Sequence, residues 1–423
     1  MKKRLSTGIL LASGWIANAQ NRFPKPDFES GYQYPDHYYP VPNETLWTAI
    51  DILLLVVMMS IVAWAVLKQR KRTPIILVSI LSVAYFGFFR SGCVCSIGAI
   101  QNVSLALVDP GYVMPVSVLL FFILPVIFAF LFGRVFCAGV CPFGALQELV
   151  NVKNYRLSKA LTTVLGMIPW IYLILAILYA VTRSSFIICR FDPFIGIFRL
   201  GGDIGLITFG VLLLIAAIFT GRPFCRFLCP YGALLSLFSR VSIWKPRLTQ
   251  QTCINCELCH NACPVDAIMP PYENKVKESR PEGVRRIVKY FIILPVMTIA
   301  GALLMRMASD ELSRGNKDVR LYDMVIEQET NPQDILSLDL EAFYGQGGTM
   351  EALTEKAEYI QAAFKQYGTI AGAFIGLVIG LTLINLSVKR TRKTYAINEA
   401  TCVSCARCFS YCPQNQSCPM KKR

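Results

Sequence analysis

Apolar residues run along this chain in seven long blocks separated by polar stretches, near 46–67, 74–90, 113–132, 161–182, 204–220, 287–305 and 367–388. Each block is about long enough for a helix to cross the roughly 30 Å hydrocarbon layer of a bilayer. The pattern predicts an α-helical multi-pass membrane protein with about seven spanning helices.

Polar residues between the blocks set an expected orientation. Lys68, Arg70, Lys71 and Arg72 follow the first block, and Lys153, Arg156 and Lys159 follow the third. Arg240, Lys245 and Arg247 follow the fifth, and Lys389, Arg390, Arg392 and Lys393 the last. Basic residues after alternate spans are the mark of cytoplasmic segments. The acid-rich segment 306–366 then lies outside. At the start, Lys2, Lys3 and Arg4 precede an apolar run, Leu5–Trp15, and Ala17-Asn18-Ala19 gives a small-residue cleavage pattern. This reads as a signal peptide over 1–19, followed by a periplasmic segment over 20–45. The expected place is the inner membrane of a bacterium.

Composition agrees: 54% of the 423 residues are hydrophobic, 16% are charged, and mean hydropathy is +0.48. The formal net charge of +15 is carried mostly by the loop residues just named. It calls for membrane lipid as a partner and needs no nucleic acid.

Sixteen cysteines change the picture, because long intracellular chains rarely keep disulfides. Metal ligation is the better reading. The two histidines, His37 and His260, are too few for a multi-haem protein. Cys256 to His260 also spells a c-type haem attachment site, but both its cysteines belong to a longer run, and no haem is expected.

That run is CINCELCHNACP, Cys253 to Pro264, and CVSCARCFSYCP repeats it from Cys402 to Pro413. The spacing is that of bacterial ferredoxins. Three close thiolates hold three corners of a [4Fe–4S] cube, while the cysteine before the proline ligates the other cube. One cluster is assigned to Cys253, Cys256, Cys259 and Cys412, the other to Cys402, Cys405, Cys408 and Cys263. Cys418 competes with Cys412. The halves, 241–286 and 389–423, flank a membrane hairpin over 287–388 with the acidic insert inside it. The module is therefore a split 2[4Fe–4S] ferredoxin on the cytoplasmic side.

A second motif occurs twice within the membrane domain, 46–240. GRVFCAGVCPFGAL begins at Gly133 and GRPFCRFLCPYGAL at Gly221, closing two repeats over 74–150 and 161–238. Cys137, Cys141, Cys225 and Cys229 are expected to hold a further iron–sulfur cluster at the cytoplasmic membrane edge. Two geometries are open: both cysteines of a pair on one helical face, or a break at the proline. Arg134 and Arg222 would offset the cluster's charge or anchor at head groups. The outer loops, 91–101 and 188–198, resemble the inner motifs: Cys95, Gly98, Ala99 and Gln101 match Cys141, Gly144, Ala145 and Gln147. That suggests an inverted repeat nested in the tandem one. Cys93, Cys95 and Cys189 form a candidate outer redox site, with Asp192 as a further ligand.

Together these motifs resemble the NosR/NapH-type membrane-bound polyferredoxins over roughly residues 74–264. The resemblance implies electron transfer between a cytoplasmic donor, such as a ferredoxin or flavodoxin, or menaquinol, and a periplasmic flavin- or metal-containing redox protein. Quinol dehydrogenation comes with it as an open question. The chain departs from the NosR branch, because no covalent flavin-attachment motif is found. No residue set reads as a catalytic site. A dithiol relay and a redox-sensing regulator are the competing readings.

Overall fold

The computed structural model describes residues 45–92, 95–248, 253–272, 279–330, 338–345, 348–388 and 391–415. The signal-peptide and 20–44 expectations, Cys93 and Cys418 lie outside these residues.

Each apolar block forms a helix: α1 (Thr45–Trp64), α2 (Thr73–Ser82), α3 (Val116–Phe132), α4 (Ile168–Val181), α5 (Ile204–Thr220), α6 (Arg280–Met307) and α7 (Met350–Ser387). Four helical stretches are long and apolar enough to cross a membrane: 25 residues over Thr45–Gln69, 23 over Lys159–Val181, 28 in α6 and 38 in α7. The others stop short. Both α3 and α5 have 17 residues, about 25 Å at 1.5 Å per residue. Helix α2 continues through wide turns only to Phe89. Each short helix runs straight into a cysteine motif, so the motifs take up length that the spans lack.

The segments 95–101 and 188–198, expected as outer loops, are not simple solvent loops. Ile97, Ala99, Ile100, Ile188, Phe194 and Phe198 are all buried. Phe143 meets Phe194 and Phe198 edge-on, each with ring centroids 5.5 Å apart. Phe194 in turn meets Phe224 at 5.1 Å. Aromatic packing thus folds the 188–198 loop back onto the repeated motifs.

Helices α6 and α7 pair antiparallel along a glycine seam. A Cβ on Gly301 would overlap the Gly372 carbonyl, and one on Gly376 the Met297 carbonyl. Small residues that let backbones meet are the usual solution where lipid supplies no hydrophobic drive between helices. The acid-rich insert packs on the start of α7, burying Val319, Val325 and Leu353. Its Leu312 carbonyl accepts from the Tyr179 hydroxyl of α4 at 2.9 Å.

The hairpin returns the chain to the first ferredoxin half. Ile268 and Met269 pair antiparallel with Ile397 and Ala396, and Asn398 N donates to Ala267 O at 2.7 Å. This module has no separate core. Val265, Ala267, Val403, Ala406 and Phe409 join the buried cluster that contains Cys137, Phe143 and Phe224.

Candidate redox site

The two repeated motifs fold alike. Gly133 and Gly221 leave their helices with φ of +79° and +57°, where a side chain would be strained. A helical turn follows and ends on a widened i to i−5 bond: Cys141 N to Phe136 O and Cys229 N to Phe224 O, both 2.9 Å. Cys141 and Cys229 are extended, with ψ of 118° and 111°. Pro142 and Pro230 then open new helices, Pro142–Val150 and Pro230–Arg240. A proline suits that first position because its fixed φ is helical and its missing N–H has no partner there anyway. Of the two geometries left open by the sequence, the break at the proline is the one present.

Cys137, Cys141, Cys225 and Cys229 line one cavity, closed by Ile97, Arg134, Phe136, Tyr231 and Gly232. Donors point at the sulfurs: Gly232 N to Cys229 Sγ at 3.3 Å and Gln147 Nε2 to Cys225 Sγ at 3.6 Å. The arginines cross over between units. Arg134 Nη2 lies 3.0 Å from where a Cβ on Gly232 would stand, and Arg222 Nη1 3.7 Å from one on Gly144. Neither arginine reaches a head-group position. Arg134 is 6% exposed and Arg222 not at all.

The ferredoxin cysteines divide between two further cavities. Cys253, Cys256, Cys259 and Cys412 line one, with Tyr395 and Pro413. Cys263, Cys402, Cys405 and Cys408 line the other, with Arg407 and Phe409. Each motif curls because two non-glycine residues at matching places take positive φ: Asn255 and Glu257, then Ser404 and Ala406. Such residues cost about 1–2 kcal/mol each, a cost that recurs where a loop wraps around a bound group. Backbone N–H groups aim inward here too, Ala267 N at Cys263 Sγ (3.2 Å) and Ser404 N at Cys402 Sγ (3.5 Å).

Burial pushes the Cys263 and Cys225 thiols up to about 11 and Cys402 up to about 12. Thiolates in these positions need a strong local cation, which a metal centre supplies. Among the described residues, no three Cys, His, Asp or Glu side chains converge to hold a single metal ion. The sulfurs stand around cavities instead, which fits a polynuclear cluster better than a zinc ion.

The cavities follow one another. Cys259 lies within electrostatic reach of Cys408. Arg222 lies within reach of Cys405 on one side and Cys225 on the other. Arg134 does the same for Cys402, with its Nη2 3.9 Å from Cys137 Sγ. Arg222 also donates to the Cys137 and Ala138 carbonyls and to Glu148 (3.0 Å). Glu148 is buried among three guanidinium groups, with Arg72 at 2.7 Å and Arg407 at 3.3 Å. Burial alone would raise its pKa, but Arg222, Arg407 and Arg72 outweigh it and hold the carboxyl below its ordinary value.

Sequence reasoning missed Glu148, Gln147 and Arg407 as parts of the site. The available signals were an acid directly after a motif at a membrane exit, and an arginine inside a ferredoxin run. Of the outer residues, Cys95 and Cys189 come together beside Asp192, and Cys93 lies outside the described residues.

Comparison with known proteins places the same segments. A family described as 4Fe-4S binding domain matches residues 114–159 and 203–248, the two repeated motifs. A second family of that description matches 248–269. An uncharacterized protein of Methanocaldococcus jannaschii is 31% identical over 190 residues, 43% of this chain and 77% of the relative. A second one from the same organism is 32% identical over 149 residues, 34% of this chain and 56% of its own length. The regulatory protein NosR of Pseudomonas aeruginosa is 29% identical over 245 residues, 53% of this chain and 34% of NosR. The chain thus spans about half of one of these relatives and a third of another. No solved structure matches. Fold and cysteine sites together define a helical 4Fe–4S-binding protein with apolar helices of membrane-spanning length. It belongs to the NosR/NapH-type polyferredoxin family.

Proposed function

We propose that the protein carries electrons through iron–sulfur clusters between the ferredoxin face of a bacterial inner membrane and its opposite side. The observation that carries this reading is the unbroken succession of cysteine-lined cavities, with Arg134 and Arg222 between the ferredoxin pair and the repeat pair. Bound clusters would supply one-electron chemistry at each cavity. Cys253, Cys256, Cys259 and Cys412 would hold one cube, and Cys402, Cys405, Cys408 and Cys263 the second. Cys137, Cys141, Cys225 and Cys229 would hold a third centre, since four thiolates are the normal shell of such a cluster.

The chain's own part is positioning and electrostatics. Tunnelling falls steeply with distance, so fixed sites in sequence matter more than any acid or base. Gly232 N–H, Gln147 and the two arginines offset thiolate charge, while the aromatic residues around Phe143 exclude water. On this reading the ferredoxin module and the C-terminus are cytoplasmic, and 306–366 is periplasmic. A cytoplasmic ferredoxin- or flavodoxin-like donor, or menaquinol, would serve one side and a flavin- or metal-containing protein the other.

The test is iron and acid-labile sulfide analysis with EPR on anaerobically purified protein. Cys141→Ser and Cys229→Ser should each remove the same signal and spare the two ferredoxin signals. Full iron content in both variants, with electron delivery lost, would instead favour a dithiol relay. The likeness to NosR, a regulatory protein, favours a second reading, in which the clusters report redox state. Retained cluster signals with no electron transfer to any acceptor would support it.

A further inference from the structure

Cys95 and Cys189 come from loops far apart in sequence, yet their sulfurs meet across Gly98. A Cβ on Gly98 would stand 3.0 Å from Cys189 Sγ and 3.8 Å from Cys95 Sγ. Asp192, 5% exposed, lies within electrostatic reach of both. Its Oδ1 accepts from Phe194 N at 3.0 Å. Three groups able to become anions thus face one another, with Asp192 buried, Cys95 half-buried and Cys189 exposed, and a bound cation would offset their charge.

The arrangement repeats the contacts around Cys141 and Cys225, one half of the inner cavity. Gly98 N donates to Cys95 Sγ at 3.3 Å, and Gly144 N bonds Cys141 in the same way. Gly98 lies against Cys189 Sγ as Gly144 lies against Cys225 Sγ, where a Cβ would be 3.4 Å away. Gln101 Oε1 accepts from Ile188 N at 2.9 Å, and Gln147 Oε1 from Phe224 N at 3.0 Å. In each case the acceptor is six residues beyond one cysteine, and the donor directly precedes the other. Such a set of matching bonds is not needed merely to pack two loops.

Two tyrosines lie between the inner and outer sets. Tyr231 is within electrostatic reach of Cys137, Cys141 and Cys229 on one side and Cys95 on the other. Tyr172 stands in the same relation to Cys229 and to Cys189 and Asp192. As in the inner cavity, the outer side chains do not converge on a single-ion position.

We propose that Cys95, Cys189 and Asp192 hold an additional iron–sulfur centre, one step beyond the repeat cysteines and with a carboxylate among its ligands. Histidine replaces cysteine on one iron of Rieske centres, so a mixed shell has precedent in chemistry. The step it adds is one electron, ferric to ferrous iron, with no bond made or broken. The proposal uses the reading of the inner cavity as its template, and the outer iron is counted separately.

The full chain, purified anaerobically, is assayed for iron, acid-labile sulfide and EPR. Cys95→Ser combined with Cys189→Ser should lose the iron and sulfide of one centre and one signal. The signals lost in Cys141→Ser and Cys263→Ala should remain. Asp192→Asn, which keeps the side chain's shape, should shift the g-values or potential of that same signal. Unchanged iron and sulfide in the double variant would overturn the proposal, as would a Cys95–Cys189 disulfide found by mass analysis of the anaerobic protein. If the double variant sheds iron from every site, Asp192→Asn decides, and a wild-type spectrum there rejects the centre. If Cys141→Ser costs no iron while the double variant still does, the inner reading falls and the outer one stands.

Discussion

Glu148 is the residue on which three parts of the molecule meet. Arg72 leads into α2, Arg222 belongs to the second repeat and Arg407 to the second ferredoxin motif, and all three reach this one carboxylate. Removing one partner of a buried ionic set costs roughly 3–5 kcal/mol, because the remaining charges stay buried and uncompensated. Glu148→Gln should therefore lower thermal stability in detergent by that order. The sign with pH follows from its depressed folded-state pKa. The contribution is present above the ordinary carboxylate range and is lost as pH falls through the depressed value. Acidification should thus destabilise the wild type more than Glu148→Gln, and unfolding curves across that range check it. An equal loss in both proteins would mean that other carboxylates dominate. Three cysteines of each ferredoxin cavity could be grouped from spacing, since their geometry is local, while the fourth comes from the other motif. Glu148 could not, because its partners lie 74 to 259 positions away along the chain and only packing brings them together.

At the scale of the element, helix positions were readable and their ends were not. The block near 204–220 is a helix over those residues, whereas that near 367–388 begins at Met350. Its polar first turns, Glu351 to Lys365, break the apolar signal but continue the helix because the acidic insert packs on them. The cysteine motifs look helical from their spacing of four, and only the bonds from Cys141 and Cys229 show the wide turn before each proline. The glycine seam gives a prediction of its own. Gly376→Val inserts atoms where the Met297 backbone already lies, and such overpacking costs about 1–3 kcal/mol or more. Forcing α6 and α7 apart moves the second ferredoxin half, so iron at both ferredoxin cavities should fall while the repeat-cysteine signal survives. Unaltered ferredoxin signals in this variant would show that the module holds its position without the hairpin.

For the whole molecule, the alternation of basic loops is the basis of orientation. Periplasm-active reporter fusions after Lys245 or after Lys393 should be inactive, and fusions within 314–330 active. Activity at the first two points would reverse the assignment of faces. What the sequence could not convey at this scale is closeness. It marked 91–101 and 188–198 as outer loops, but buried Ile97, Ile188 and Phe194 bring them against the inner motifs. For 188–198 the wedge of aromatic residues that does this is assembled from three distant segments, and no local pattern announces it.

Each ferredoxin cavity borrows a wall from the other half: Cys412 completes the cavity of the first motif and Cys263 that of the second. Between them in sequence stand α6 and α7, both long and apolar enough to cross a membrane. Completion of either cavity is thereby tied to the arrival of the second motif. A chain still emerging from the ribosome has no complete cavity in this module to fill. One that stops short of its last helix has neither ferredoxin cavity complete. Neither cavity can be finished before residues 402–412 have met residues 253–263.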